Sequence, residues 1–285
     1  NVALGYQAFT GFTTGYGNTI LGWRAGYSTT TGFANVYIGT QAGYYGTSAM
    51  ENIAIGNNSQ QGVSGQTTGR YNVSLGVNAL FGLTTGNHNF VVGSNAGYSI
   101  TSAENNIIMG ASAGDALTST SNTVIIGRAA GTAINSADAN GTVLLGAYAG
   151  TAITDGQYNT MIGTLAGASI TDGDSSTIVG YEAGYYATGS NNTFVGKDAG
   201  KGGQTSAPYS SGESNTAVGH DALSGFTTGG SNTAIGKNSR KSITSGARNT
   251  ILGVNAASNL TTGTNNVVLG QSALSTADGL ERENI

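Results

Sequence analysis

Sixteen copies of one short unit, Asn-x-x-aliphatic-Gly-x-x-Ala, run the length of this 285-residue chain, and no other feature constrains its fold as strongly. Asn18-Thr-Ile-Leu-Gly22-Trp-Arg-Ala25 and Asn249-Thr-Ile-Leu-Gly253-Val-Asn-Ala256 are typical. Successive unit glycines lie 17 residues apart, apart from single spacings of 20, 19, 16 and 23. The longer spacings place insertions near 60–66, 134–140 and 201–212, the last holding Pro208, the only proline. The pattern is already running at Asn1 and still running at Ile285, so the chain reads as one continuous repeat domain, 1–285, cut from a longer polypeptide.

Each place in the unit has a physical reading. The residue before the glycine is aliphatic in all 16 copies, and the residue two earlier is Val, Ile, Thr or Phe. Residues two apart share a face of a strand, and β-branched side chains suit that setting. These two positions therefore predict a short strand with one buried face. The glycine ends the strand where a side chain would strike the neighbouring coil, and the Ala three residues on marks a tight place, with Ser59 and Ser239 as its two exceptions.

A second apolar position falls seven after the glycine, as at Phe12, Leu83, Ile100 and Leu117, and predicts a second strand facing the first. A Thr-Thr-Gly or Thr-Asp-Gly turn follows, whose glycine is present in 11 of 15 units and is expected to supply positive φ at a corner. Asn opens the next unit at 13 of 16 places, and such a column can hydrogen-bond along the stacking axis. Two strands and two turns in 17 residues make one coil of an all-β β-solenoid. Sixteen such coils, at about 4.8 Å each, would stack to roughly 75 Å. A helical unit is excluded by the apolar period of two and by the recurring glycine.

Composition narrows the function. Glycine is 48 of 285 residues and charged residues only 8%, against a typical ~25%. A core of Gly, Ala and one aliphatic column is thin for the backbone it must order. The middle strand residue, meanwhile, is often apolar too, as at Ile20, Tyr37, Val91, Ile108, Ile125, Leu144, Met161, Ile178, Phe194 and Ile251. That residue is expected to face a neighbouring chain, so the chain is expected to be a homo-oligomer. A net charge of −4 argues against nucleic-acid binding. No apolar run approaches the ~18 residues of a membrane span, and no basic-then-apolar leader opens the chain.

The units Asn215-Thr-Ala-Val-Gly219 and Asn232-Thr-Ala-Ile-Gly236 resemble the head repeats of trimeric autotransporter adhesins of the YadA type, and the longer repeats of that kind in phage tail fibres. The resemblance covers essentially the whole chain. It implies a parallel homotrimer of left-handed parallel β-rolls, extracellular, on a virion tail fibre or spike, with a bacterial cell-surface adhesin head as the alternative. The 17-residue unit and the abundant Tyr depart from the adhesin heads. The end, Asp278-Gly-Leu-Glu-Arg282-Glu-Asn284-Ile285, is similar to the junction at which phage fibres meet a self-cleaving C-terminal chaperone; the alternative is a further repeat.

Catalytic signatures are missing, and the expected function is non-enzymatic: a fibre segment for host attachment, or a structural spacer. An inter-chain glycan depolymerase is a distant alternative. There are no cysteines, the two histidines His88 and His220 sit in different units, and the acidic residues recur at no fixed place, so no cofactor or metal site is expected. Asp172 and Asp174 flank Gly173 at a solvated turn. Tyrosine is the better candidate. Tyr27, Tyr44, Tyr98 and Tyr185 recur five after the unit glycine, and Tyr209 lies in the longest insertion. Aligned in successive coils they would form an aromatic ladder that contacts a glycan or receptor, or packs at coil and subunit edges. Lys237, Arg240, Lys241 and Arg248 form a basic group that reads as a solvated face. Threonines at the corners hint at an ice-binding face but lack the flat strand array it needs.

Overall fold

A computed structural model describes residues 1–203 and 209–275, and shows an all-β parallel β-solenoid of about sixteen coils. It divides into two units, Asn1–Thr142 and Val143–Ile285. The first contains β1 (Val2–Leu4), β2 (Thr19–Leu21), β3 (Val36–Ile38), β4 (Ile53–Ile55), β5 (Val73–Leu75), β6 (Phe90–Val92), β7 (Ile107–Met109) and β8 (Val124–Ile126). The second contains β9 (Val143–Leu145), β10 (Thr160–Ile162), β11 (Thr177–Val179), β12 (Thr193–Val195), β13 (Thr216–Val218), β14 (Thr233–Ile235), β15 (Thr250–Leu252) and β16 (Val267–Leu269). Within each unit every strand pairs in parallel with the next, repeat position on repeat position, as in Ile108↔Ile125 and Ile251↔Val268. The insertion at 134–140 carries a single 3-10 turn, Ala137–Ala139, capped by Ser136. Among the described residues no helix is long and apolar enough to cross a membrane. Pro208 and the 277–285 segment lie outside the described residues.

Among the described residues each coil has one strand rather than two. The segment predicted as a second strand is a run of turns, because the second and fourth residues after the unit glycine take left-handed φ, as at Asn95 (φ 56) and Gly97 (φ 53). It still stacks coil on coil through its backbone: the Gly82 N–H donates to Tyr98 O at 2.9 Å and the Ser99 N–H to Asp115 O at 3.0 Å. The seventh residue still points inward in most coils, with Leu83, Ile100, Leu117, Ile153 and Leu260 fully buried, while terminal Phe12 and Val63, in the first insertion, are exposed.

The strand faces are the reverse of the sequence expectation. The middle residues, expected to meet another chain, are the core of their own coil: Ile20, Tyr37, Val91, Ile108, Ile125, Leu144, Met161, Ile178, Phe194 and Ile251 are all buried. The aliphatic before the glycine and its partner two earlier point outward, with Ile107 43% and Met109 37% exposed. The reason is steric. A coil this narrow holds one large side chain opposite the fourth residue after the glycine, which is glycine in nine of the coils with a bulky middle residue; the exceptions are the last two coils, Ile251 with Ala257 and Val268 with Leu274. A Cβ on Gly43 would sit 2.4 Å from Tyr37 Cδ2, and one on Gly184 2.8 Å from Ile178 Cδ1. Where the middle residue is small the fourth is large: Ala3 with Phe9, Ala54 with Gln60, Ser74 with Leu80, Ala217 with Leu223, and Ala234 with Arg240. Up to those last two coils, volume on one side is offset on the other.

The unit glycine behaves as expected: Gly110 has φ +136, and a Cβ there would lie 2.5 Å from the carbonyl oxygen of Gly127 one coil on. The corner glycine does not supply the positive φ. Positions such as Gly86 and Gly156 keep ordinary φ and are needed because a Cβ would strike the next coil's carbonyl. The left-handed corner residue is two further on, and is Tyr71, His88, Asn105 or Asn122 in successive coils (φ 57 to 59).

From Asn18 on, the opening asparagines are buried, and their ladder is the polar spine of each unit. Asn35 donates from its backbone N–H and from Nδ2 to Asn18 Oδ1, both at 3.0 Å, and from Nδ2 to Ala49 O at 2.8 Å. The same pattern links Asn52, Asn72, Asn89 and Asn106 in the first unit, and Asn215, Asn232, Asn249 and Asn266 in the second. One amide per coil satisfies backbone groups that would otherwise be buried without partners. Between its two ends, Ala8 and Ala273, the Ala column is fully buried, and its exception Ser59 is matched by Ser74, their hydroxyls 2.8 Å apart.

Candidate functional site

The candidate tyrosines fall into separate groups, not one continuous ladder. Tyr27 and Tyr44 stack with centroids 5.0 Å apart and planes 7° from parallel. Stacking coil on coil turns the rings face to face, so they present edges outward. Tyr45 closes edge-on against Tyr44 at 4.5 Å, and the Arg24 guanidinium lies 5.7 Å from the Tyr27 centroid and 4.6 Å over Trp23. A sugar stacks on a ring face, and much of this pair's face area is occupied by its own neighbours.

Tyr185 packs edge-on against Tyr186 at 4.4 Å, and Tyr186 stacks on Tyr209 at 5.7 Å, so two of the candidate residues converge beside the longest insertion. The described ends of that insertion lie down on the coil: the Ser210 N–H donates to Tyr186 O at 2.9 Å, the Thr188 N–H to Ser210 O at 2.7 Å, and Gly202 and Ser210 are buried. Lys201 continues the column after Tyr185 and bridges Glu182 at 2.5 Å and Asp198 at 3.2 Å. The hydrogen bond from Lys201 holds the Glu182 carboxyl below the usual carboxylate range. The same bond raises Lys201, while Glu182 accepting from Tyr181 raises that phenol. These groups satisfy one another and leave no free cation.

Tyr98 stands apart from both groups. It stacks on Phe81 at 4.8 Å with planes 2° apart, a partner not identified from the sequence. The signal was there, since Phe81 also lies five after its unit glycine, Gly76. The next residue in that column, Asp115, carries no ring, and a cleft of about 350 Å³ opens between them, lined also by Asn95, Ser99 and Ala116. A second cleft of about 380 Å³ is lined by Arg70, Tyr71, Asn87, His88, Glu104 and two threonines, with Tyr71 and His88 stacked at 4.8 Å.

The remaining candidates resolve simply. The basic group is not one surface: Arg240 is fully buried, Lys241 pairs with Asp221 at 3.0 Å, and Arg248 donates from Nε to Asn265 Oδ1 at 2.8 Å. Arg240 fills the space opposite Ala234, donating to Gly263 O at 2.7 Å and to Asn232 Oδ1 at 3.4 Å; burial lowers its pKa to about 9, so it stays charged at neutral pH. Asp172 and Asp174 accept hydrogen bonds from Thr171 and from the Gln157 N–H. Among the described residues no group of three His, Cys, Asp or Glu could hold a metal ion. Corner threonines donate to the next coil's carbonyl, as Thr84 Oγ1 does to Thr101 O at 3.0 Å. No family model, curated protein or solved structure matches the chain.

Proposed function

We propose that this chain is a non-enzymatic segment of a homotrimeric fibre used for attachment to a host or other surface, borne on a phage tail fibre or virion spike. A bacterial cell-surface adhesin head is the alternative setting. The observation that carries the reading is the outward strand face. Leu21, Ile55, Ile107, Met109 and Phe90 in the first unit, and Leu145, Val195, Ile235 and Leu252 in the second, are 37–49% exposed in otherwise regular parallel strands. Monomeric proteins rarely leave so long an apolar row uncovered. Its few charges, its in-register repetition and the YadA-type unit all favour sister copies as the cover. Sedimentation equilibrium of the purified chain tests it: a species of three chain masses is expected, and a well-folded single chain would overturn it.

A second reading, a spacer that positions something else, is favoured by the way the described ends of the longest insertion lie flat on the coil. Glycan-array binding by the assembled protein separates the two, since a spacer binds nothing.

A further inference from the structure

We propose that the cleft between Tyr98 and Asp115 is a binding subsite for a neutral pyranose sugar; this deepens the attachment reading and rests on it. In the column five after the unit glycine, Tyr98 has Phe81 on one face. On the other side comes Asp115, held in register by the Ser99 N–H donating to Asp115 O at 3.0 Å. With a carboxylate where a third ring would stand, the second face of Tyr98 opens into the cleft instead of being stacked. Tyr98 is 37% exposed, so the ring is seated in the coil and still reachable.

Two polar groups converge on the same space. The Asp115 carboxylate makes no ion pair or side-chain hydrogen bond among the described residues. Asn95 ends a short amide ladder: Asn58 Nδ2 donates to Asn78 Oδ1 at 3.1 Å, and Asn78 Nδ2 to Asn95 Oδ1 at 2.9 Å. The ladder's donors all point the same way along the axis. At its end the column meets Ser112 instead of another Asn, and Asn95 Nδ2 is left without a partner among the described residues. An aromatic face for the C–H side of a pyranose, a carboxylate acceptor and an amide donor are what a ring with adjacent hydroxyls requires. The cleft's volume suits one such ring. No lining residue is cationic and Asp115 is anionic, so a neutral sugar is favoured over an acidic one.

Titration of the assembled protein with methyl glucoside, methyl galactoside, methyl mannoside and a sialoside, followed by saturation-transfer NMR, tests the assignment. At least one neutral glycoside is expected to bind. Tyr98→Ala and Asp115→Ala should each weaken it about tenfold or more, Tyr98→Phe should retain it, and Arg70→Ala should leave it unchanged. Circular dichroism checks that each variant is folded, and Asp115→Ala, on a partly exposed residue, keeps the test open if Tyr98→Ala does not fold. Neutral-sugar binding that survives both alanine variants overturns the site while leaving the attachment reading intact, and binding of the sialoside alone overturns the neutral class. No binding to these sugars overturns the site; if a glycan array is also blank, the attachment reading falls with it.

Discussion

Ile107 and Ile108 are the same residue type, one position apart on the same three-residue strand, and they live under different rules. Ile108 is fully buried and trades volume with Gly114 six residues on, in a coil that admits one large side chain. Ile107 is 43% exposed, and across the repeat its place is filled by Thr, Val, Ile or Phe, the aromatic Phe90 included. Inside, size is balanced within most coils; outside, only apolar or β-branched character recurs. The first pattern belongs to a self-contained core and the second to a surface that need only be broadly apolar, which is why the outer row can serve as a seam between chains.

The largest expected effect comes from the inner side. Asn89→Leu strips the ladder of the amide that joins Asn72 to Asn106 and serves Ala103 O, leaving several buried groups unpaired. At about 1–3 kcal/mol for each such group, the loss should reach roughly 4 kcal/mol in denaturant unfolding. A loss below about 1 kcal/mol would show that the ladder is ornamental to stability.

Volume exchange is the sharper test. Ile108→Ala should cost about 3 kcal/mol, and Gly114→Leu alone about 1–3 kcal/mol by overpacking. Their combination should recover part of the sum, because Leu80 already occupies the equivalent place at φ 55 opposite Ser74. Ile107→Ser, by contrast, should act through association, making the unfolding midpoint of the assembled protein more dependent on concentration, with under about 0.5 kcal/mol arising within the coil itself. Strict additivity within the inner pair, or an Ile107→Ser cost equal to that of Ile108→Ala, would erase the distinction between the faces.

On the outer surface a small effect should depend on pH. Glu182 is lowered by its bond to Lys201, so that contribution holds above the ordinary carboxylate range and is lost as pH falls through the lowered value. Lys201 is raised, so its contribution holds below the ordinary lysine range and is lost as pH rises through the raised value. Lys201→Met should therefore reduce stability by under about 1 kcal/mol around neutrality and by less at either extreme, read from thermal unfolding across pH. A difference that does not vary with pH would assign the effect to packing.

The coil length, the unit glycine, the Ala column and the Asn ladder were legible because each is a recurrence at fixed spacing, and stacking turns fixed spacing into direct contact. The pairing of bulky middle residues with glycine six places on was equally present in the letters, at Tyr37 with Gly43 and Phe194 with Gly200, and marks the inner face once it is noticed. The second strand was misjudged because left-handed φ at residues such as Asn95 and Arg24 leaves no mark that differs from an ordinary polar residue.

Among the candidate tyrosines, the sequence placed Tyr27, Tyr44, Tyr98 and Tyr185 in one column. Only the structure shows which rings cover one another and which is left with an open face, because that depends on the residue one coil away. By itself the sequence determined that this chain winds into coils, since a short period punctuated by glycine admits little else. The tertiary structure decided which strand face is interior and where the surface opens. Those are questions of volume across a coil and of contact between coils, and neither is a property of any single repeat.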